Sequence, residues 1–448
     1  MTRLRTLASL TIPLLTAPLA AQERIEFDDY SLDNGLRIIL VEDHSAPVVT
    51  VDLWYDVGSS SERLNRTGFA HLFEHMMFEG SANVGKAEHM ALIERAGGSM
   101  NGTTNEDRTA YFETVPANRL NLALWLEADR MRSLAVTDEN FENQRNAVQE
   151  ERRMRIDNQP YAAAFVEGIT QLFDSTDCFG YAHSVIGSMD DLNRAQTVDV
   201  QSFFDLYYAP GNATLVLVGD FDPAEAKSLI EQYYGDIPAG EEPPATRCAW
   251  SVGTEAQQIV WDDPLANLPL VLVAYRTPAH GDGDIRALQL LSEILGAGES
   301  SRLNRKMVRE EQSAVQAGTQ VDSRQMASVF IALGIANQGV EAQVLADQLH
   351  AEVARVLAEG ITEEELTKAK NAYRSRDIFG RQTTMAVAQN IQHYLHYHKS
   401  LDEFYTDLDM YMAVTADDIQ RFAQKYLTPE NSFTILVTPK AATQAPVP

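Results

Sequence analysis

A segment near residue 200 recurs near residue 420, and this restricts the fold more than any other feature of the chain. The first copy reads DVQSFFDLYYAPGNATLVLVGDF and the second DDIQRFAQKYLTPENSFTILV. Asp199, Gln201, Phe203, Tyr207, Pro210 and Asn212 stand against Asp418, Gln420, Phe422, Tyr426, Pro429 and Asn431, at a constant offset of 219 residues. Each copy is a short helix, a Pro-x-Asn turn and a β-branched run, at 215–218 and 434–437. Chance similarity of two amphipathic helices would not keep that turn in register. The chain is therefore a duplicated domain.

The halves follow from the punctuation. Pro238, Gly240, Glu241, Glu242, Pro243 and Pro244 form a polar, proline-rich stretch that continues neither a helix nor a central strand. It is expected to be a linker over 237–255, between an N-terminal half at 24–236 and a C-terminal half at 256–440. An Ala/Pro/Gln tail at 441–448 is expected to fray. Strands are expected at 48–55, 109–115 and 270–275 from their β-branched and aromatic content. Helical periodicity marks 120–132, 139–156 and 363–379. Strands followed by helix pairs predict an α+β sandwich in each half.

Arg3 and Arg5 precede a short apolar stretch broken by Pro13 and Pro18, and Ala20 and Ala21 follow. This pattern predicts a signal peptide over 1–21 and export, most simply to a periplasm; the run is too short to span a bilayer. An exported chain can oxidise its two cysteines, Cys178 and Cys248. Their spacing leaves a bond and two buried thiols equally open. The 64 acidic against 36 basic residues, a net charge of −28, exclude a phosphate-backbone partner and so argue against nucleic-acid binding. Basic peptides remain compatible, but solubility alone explains the charge as well.

The stretch that carries chemistry is GFAHLFEHMMFEG, residues 68–80. His71 and His75 are four apart, so on a helix both imidazoles leave one face a turn apart, the spacing two ligands need to hold one tetrahedral Zn²⁺. Glu74 sits at the rim of that face, where a carboxylate reaches water held by the ion instead of the ion itself. Leu72, Phe73, Met76 and Met77 supply a dry wall. A third ligand is expected on the helix at 139–156. Phe141 and Val148 mark its buried stripe; Glu151 lies beside that stripe, whereas Glu150 is turned away. The competing role for Glu151 is an i,i+4 ion pair with Arg155.

These residues together resemble the pitrilysin/insulinase/mitochondrial-processing-peptidase family of inverted-motif zinc peptidases. The resemblance rests on His71-x-x-Glu74-His75 followed 76 residues later by Glu151, and covers most of the chain. It extends to Leu32-Asp-Asn-Gly-Leu-Arg37, Gly97-Gly98 ahead of Asn101, Tyr208-x-Pro-x-Asn212 and Ser300-Ser-Arg-Leu303. It implies two α+β halves forming half of a clam-like chamber, with one Zn²⁺ per chain on His71, His75 and Glu151. It implies Glu74 as general base and peptide substrates enclosed in the chamber. Asn101 matches the family's edge-strand asparagine that lines the substrate backbone, although Gly102 stands where the family usually has Ala.

The second half departs from the pattern. Aligned on the first, it places Ala287 or Gln289 near the His71 position, neither a ligand. Active members carry an Arg and a Tyr after the Ser-Arg-Leu segment; here Arg309 supplies the first, and the tyrosine position falls on Gln316. This implies pairing with a related subunit bearing the missing pair, a heterodimer, in preference to a homodimer. His393, His396 and His398 do not share one α-helical face and are expected to be structural. The expected function is zinc endopeptidase; the alternative is a non-catalytic assembly or chaperone-like subunit.

Overall fold

The structure, a computed structural model, describes residues 25–439. The expected leader at 1–21 and tail at 441–448 lie outside the described residues. The first sheet has six strands, β1 (Asp28–Ser31), β2 (Arg37–Glu42), β3 (Val48–Tyr55), β4 (Ser99–Thr104), β5 (Thr109–Pro116) and β6 (Ala213–Gly219). Their order is β1-β2-β6-β3-β5-β4. The second holds β7 (Gln257–Asp263), β8 (Leu270–Thr277), β9 (Ala314–Asp322), β10 (Ser328–Ala336) and β11 (Ser432–Pro439), ordered β7-β11-β8-β10-β9. Removing β1 makes the two orders identical, and in both only the β2–β6 or β7–β11 pair is parallel. The duplication seen in the sequence is a duplication of this α+β topology.

The repeated residues do the same work twice. The Asn212 amide donates to the Tyr207 carbonyl at 2.9 Å and to the Asp56 carbonyl at 3.3 Å. The Asn431 amide donates to the Tyr426 carbonyl at 2.6 Å and to the Arg276 carbonyl at 2.9 Å. Each asparagine ties a helix end to the end of a central strand, satisfying carbonyls that the helix leaves open. Asp199 and Asp418 each accept the backbone N–H three residues earlier, at 3.1 and 2.8 Å, closing a helix N-terminus. Sequence register survives because hydrogen-bond geometry requires it.

Each half also covers the other's sheet. On one face of the first sheet, Leu53, Val49, Val51 and Leu215 pack on their own half's helices. On its other face Ile39, Val41, Val216 and Val218 are covered by Val387, Ala388 and Ile391 of the helix Thr384–His393. The Gln392 amide from that helix reaches the Asp52 and Thr214 carbonyls at 3.0 and 2.8 Å. Reciprocally, Ala164, Ile169, Leu172 and Phe173 lie on Leu272, Ala274 and Ile435 of the second sheet.

The segment expected as a linker has no regular structure, but it is pinned. Cys178 and Cys248 are disulfide-bonded. Beside that bond the Ala249 N–H donates to the Asp177 carbonyl at 3.0 Å, and the Trp250 indole N–H to the Met326 carbonyl at 3.1 Å. Among the described residues no helix is long and apolar enough to cross a membrane.

Candidate metal centre

The first helix of the site, α1 (Phe69–Met76), starts at Gly68, whose φ of +87° is a left-handed conformation that favours glycine. A Cβ there would also meet the Ile186 carbonyl oxygen at 2.7 Å. Glu62 closes the helix start, accepting the Gly68 and Ala70 N–H groups at 2.8 and 2.7 Å. A carboxylate at a helix N-terminus meets the positive end of the dipole. Leu72, Phe73, Met76 and Met77 are buried, as the dry wall requires.

This helix packs against the long helix whose buried stripe is Phe141 and Val148. Across that contact, His71 Nε2 and His75 Nε2 lie 3.7 and 3.2 Å from the same oxygen, Oε2 of Glu151. The other oxygen, Oε1, pairs with Arg155 at 2.8 Å. The ion pair weighed from the sequence therefore exists, and it leaves Oε2 free for the histidines. Glu150 is turned to solvent beside Arg153, as its place on the helix predicts.

The fit to a divalent ion can be judged from the donors. One nitrogen from each imidazole and one carboxylate oxygen lie within 4.8 Å of one another. The Gln144 amide donates to Glu79 Oε1 at 2.5 Å, which fixes its flip and turns Oε1 towards His75 Nδ1, 3.3 Å away. An amide oxygen only accepts, so the His75 Nδ1–H donates to it, which orients the ring with Nε2 towards Glu151. Lys86 pairs with the far side of Glu79 at 2.7 Å, completing the outer support. Burial, helped by the neighbouring His75 ring, pushes His71 down to about 4, so its ring is neutral at ordinary pH. Two imidazoles and a carboxylate fit Zn²⁺ and leave a position open.

Glu74 points from α1 towards β4, the free edge of the first sheet. Burial raises its carboxyl above the usual range, opposed by a hydrogen bond from Thr104 and by the charges of His75 and Arg108. A Cβ on Gly102 would stand 3.3 Å from Glu74 Cγ and 3.2 Å from the Tyr111 ring, so the missing methyl gives this carboxylate room. Asn101 is on the same edge strand, exposed, its Oδ1 taken by the Gly102 N–H at 2.9 Å. Arg309 is not among these groups: it lies exposed in the π-helical segment Asn304–Glu310 and pairs with Glu299. Gln316 is exposed on β9.

Sequence reasoning missed Gln144, Thr104 and Arg108. Gln144 is seven residues before Glu151, hence on the same helical face, and that spacing could have revealed it. Thr104 shares a strand face with Gly102 by the two-residue alternation. Arg108 carries no sequence signal; its Nη1 holds the Thr103 carbonyl at 2.7 Å and its guanidinium stacks 4.8 Å over Trp54.

Residues 37–168 match the family model described as insulinase (peptidase family M16), and residues 196–373 match that of the peptidase M16 inactive domain. The chain is 29% identical to the zinc protease PqqE of Helicobacter pylori over 98% of each chain. It is 23% identical to the uncharacterized zinc protease YmxG of Bacillus subtilis, over 91% of this chain and 97% of that one. A crystal structure of a protease from Helicobacter pylori superposes with a TM-score of 0.88 at 28% identity, over 93% of this chain and all of that one. The periplasmic protease PqqL from Escherichia coli shares the fold, with a TM-score of 0.75 at 19% identity; this chain spans 50% of it.

Proposed function

This chain belongs to the pitrilysin/insulinase family of peptidases, and from that membership we propose that it is a zinc-dependent endopeptidase. In this reading His71, His75 and Glu151 hold one Zn²⁺ and Glu74 is the general base. The observation that carries it is the convergence of both Nε2 atoms on one oxygen of Glu151, with Glu74 beside them on α1. When bound, Zn²⁺ would polarise the scissile carbonyl and acidify a water in its open position. Glu74, made more basic by burial, takes the proton from the attacking water and returns it to the leaving amine nitrogen. An extended peptide adds along β4 as a further strand, its backbone meeting the edge groups near Asn101.

The alternative, a subunit that only keeps the fold, has the inactive-domain match of residues 196–373 in its favour. Against it, a scaffold has no use for four polar groups set against a wall of buried Leu, Phe and Met, where each costs desolvation. Export to a periplasm is supported by the disulfide, which cytosolic reductants would open. A chamber closed by a second chain, in preference to a second copy, is supported by exposed Gln316 and by Arg309 engaged elsewhere.

The test is Glu74→Gln in the zinc-loaded chain. Peptide hydrolysis falls by about 10²–10⁴-fold while zinc content and melting temperature stay at the parent's values. Near-parent turnover would remove Glu74 from the mechanism. Full zinc retention by both His71→Ala and Glu151→Gln would move the site elsewhere.

A further inference from the structure

A second group of histidines comes together in the other half, and nothing in the peptidase reading uses it. His280 lies in the loop after β8; His393 ends the helix Thr384–His393, and His398 ends the turn that follows. Each offers one ring nitrogen, and the three lie within 4.8 Å of one another, as close as the donors of His71, His75 and Glu151. The Nε2 atoms of His280 and His393 face each other at 2.9 Å. Donors around a tetrahedral ion at about 2.0–2.1 Å stand roughly 3.3 Å apart, so small ring rotations suffice to enclose one.

The α-helical period hides this cluster. Residues five apart are offset on an α-helix, but the Tyr394–His398 turn is a π-helix, whose i→i+5 bonding brings His393 and His398 to one side. The loop is seated closely: a Cβ on Gly281 would meet the Tyr397 carbonyl at 2.7 Å. His280 is 6% exposed, and its Nδ1 is buried without a hydrogen-bond partner. Behind His398, Glu403 Oε2 lies 3.0 Å from Nδ1, off the hydrogen-bond line. Arg286 holds Glu403 in place and also binds Asp407 at 2.8 Å. Glu403 thus stands within reach behind the ring, where a small rotation of His398 would give Nδ1–H the carboxylate partner that orients a metal-ligating histidine. The cluster opens on a cavity of about 260 Å³ lined also by Tyr373, Tyr394 and Asp407, room for a water as fourth ligand.

Another close trio, His89, Glu113 and Glu127, does not qualify. All three are at most 3% exposed in the core, and Glu127 is occupied by Arg130.

We propose that His280, His393 and His398 form a second site for a divalent first-row transition ion, Zn²⁺ by its donor set. The ion clamps the β8 loop to the end of the helix that covers the first sheet. Tyr397, in the same turn, bonds Asn105 in the β4–β5 turn at 3.2 Å, so the clamp also steadies the edge strand beside Glu74.

The experiment is Zn²⁺ titration of the full chain, read as equivalents retained after desalting and as melting temperature. The parent retains two equivalents, and a His71→Ala/His75→Ala chain retains one and still melts higher with added Zn²⁺. Adding His280→Ala and His398→Ala removes that equivalent and the thermal shift, while far-UV circular dichroism stays unchanged. Metal content that is the same with and without the His280 and His398 substitutions overturns the proposal. Should the combined variant misfold, the His71→Ala/His75→Ala chain decides alone: one retained equivalent supports the second site and none overturns it. Because the sites are emptied separately, failure of the peptidase reading leaves this result legible.

Discussion

Replacing Cys178 and Cys248 together by serine tests how the two halves are held at their junction. The bond closes a loop with a sequence separation of 70 residues. In the chain-entropy model such a crosslink removes about 15 cal/mol/K from the unfolded ensemble, or about 4.4 kcal/mol at 25 °C. Noncovalent ties to the same segment survive the change: the Ala249–Asp177 and Trp250–Met326 bonds and the Gly253 N–H to Asn431 Oδ1 at 2.7 Å. They fix the folded geometry but do not restrain the unfolded chain, so they cannot replace the entropic part. The expected loss is therefore about 2–4 kcal/mol, a large share of the roughly 5–15 kcal/mol typical of a folded domain. Urea unfolding of parent and variant, followed by far-UV circular dichroism and tryptophan fluorescence, measures it. Reducing the parent with dithiothreitol should give the same loss. Neither cysteine touches His71, His75 or Glu151, so zinc content of the folded variant stays at the parent's value. A loss below about 0.5 kcal/mol, or a loss in the variant that reduction does not reproduce, would refute the reasoning.

Gln144→Ala should weaken zinc binding or activity about 10–100-fold, since it frees the His75 ring, while Glu150→Gln should change neither; competition with a chromophoric chelator reads both. Asp52 is wholly buried, with Oδ1 bonded to the Trp54 indole N–H at 2.9 Å and Oδ2 unpaired; burial raises its carboxyl to about 8. The folded chain then keeps a proton that the unfolded chain loses near 3.8, so this group's stabilisation is complete below about pH 4 and lost as pH rises to about 8. Asp52→Asn keeps the Trp54 bond and removes that dependence, so its stability relative to the parent should rise from pH 5 to pH 8, by at most about 1.4 kcal/mol per unit. Equal relative urea midpoints at the two values would contradict this.

Local rules carried much of the reading. The Pro-x-Asn turn was legible because one side chain has one geometric task in each half, and Glu151 was separable from Glu150 because helical phase places one beside the buried stripe. The strand at 48–55 and the helix at 120–132 were legible from composition and period; that helix runs one residue further, to Ser133. What was hidden depends on long-range contact or on an altered period. The cysteine pairing depends on where the junction runs. The exchange of covering segments joins residues about 100 or more apart. The histidines at 393 and 398 looked unrelated because a π-turn replaces the expected 3.6-residue phase.

The exchanged helices explain why a second half without the metal motif cannot be dispensable. Ile39, Val41, Val216 and Val218 are at most 4% exposed, and their cover is Val387, Ala388 and Ile391 from the other half. Uncovering four such side chains forfeits about 1.5–3 kcal/mol each, or about 6–12 kcal/mol, close to the whole stability of an ordinary domain. It would also strand the groups now held by Gln392 and the Thr50–Thr384 hydroxyl contact at 2.8 Å. The second half therefore needs no metal donors at Ala287 and Gln289, but it does need the apolar face of Thr384–His393. The first sheet bears the candidate catalytic groups on one side and depends on the second half for the other. Duplication thus separated two duties that a single copy would have to combine, chemistry on one sheet and cover for its opposite face.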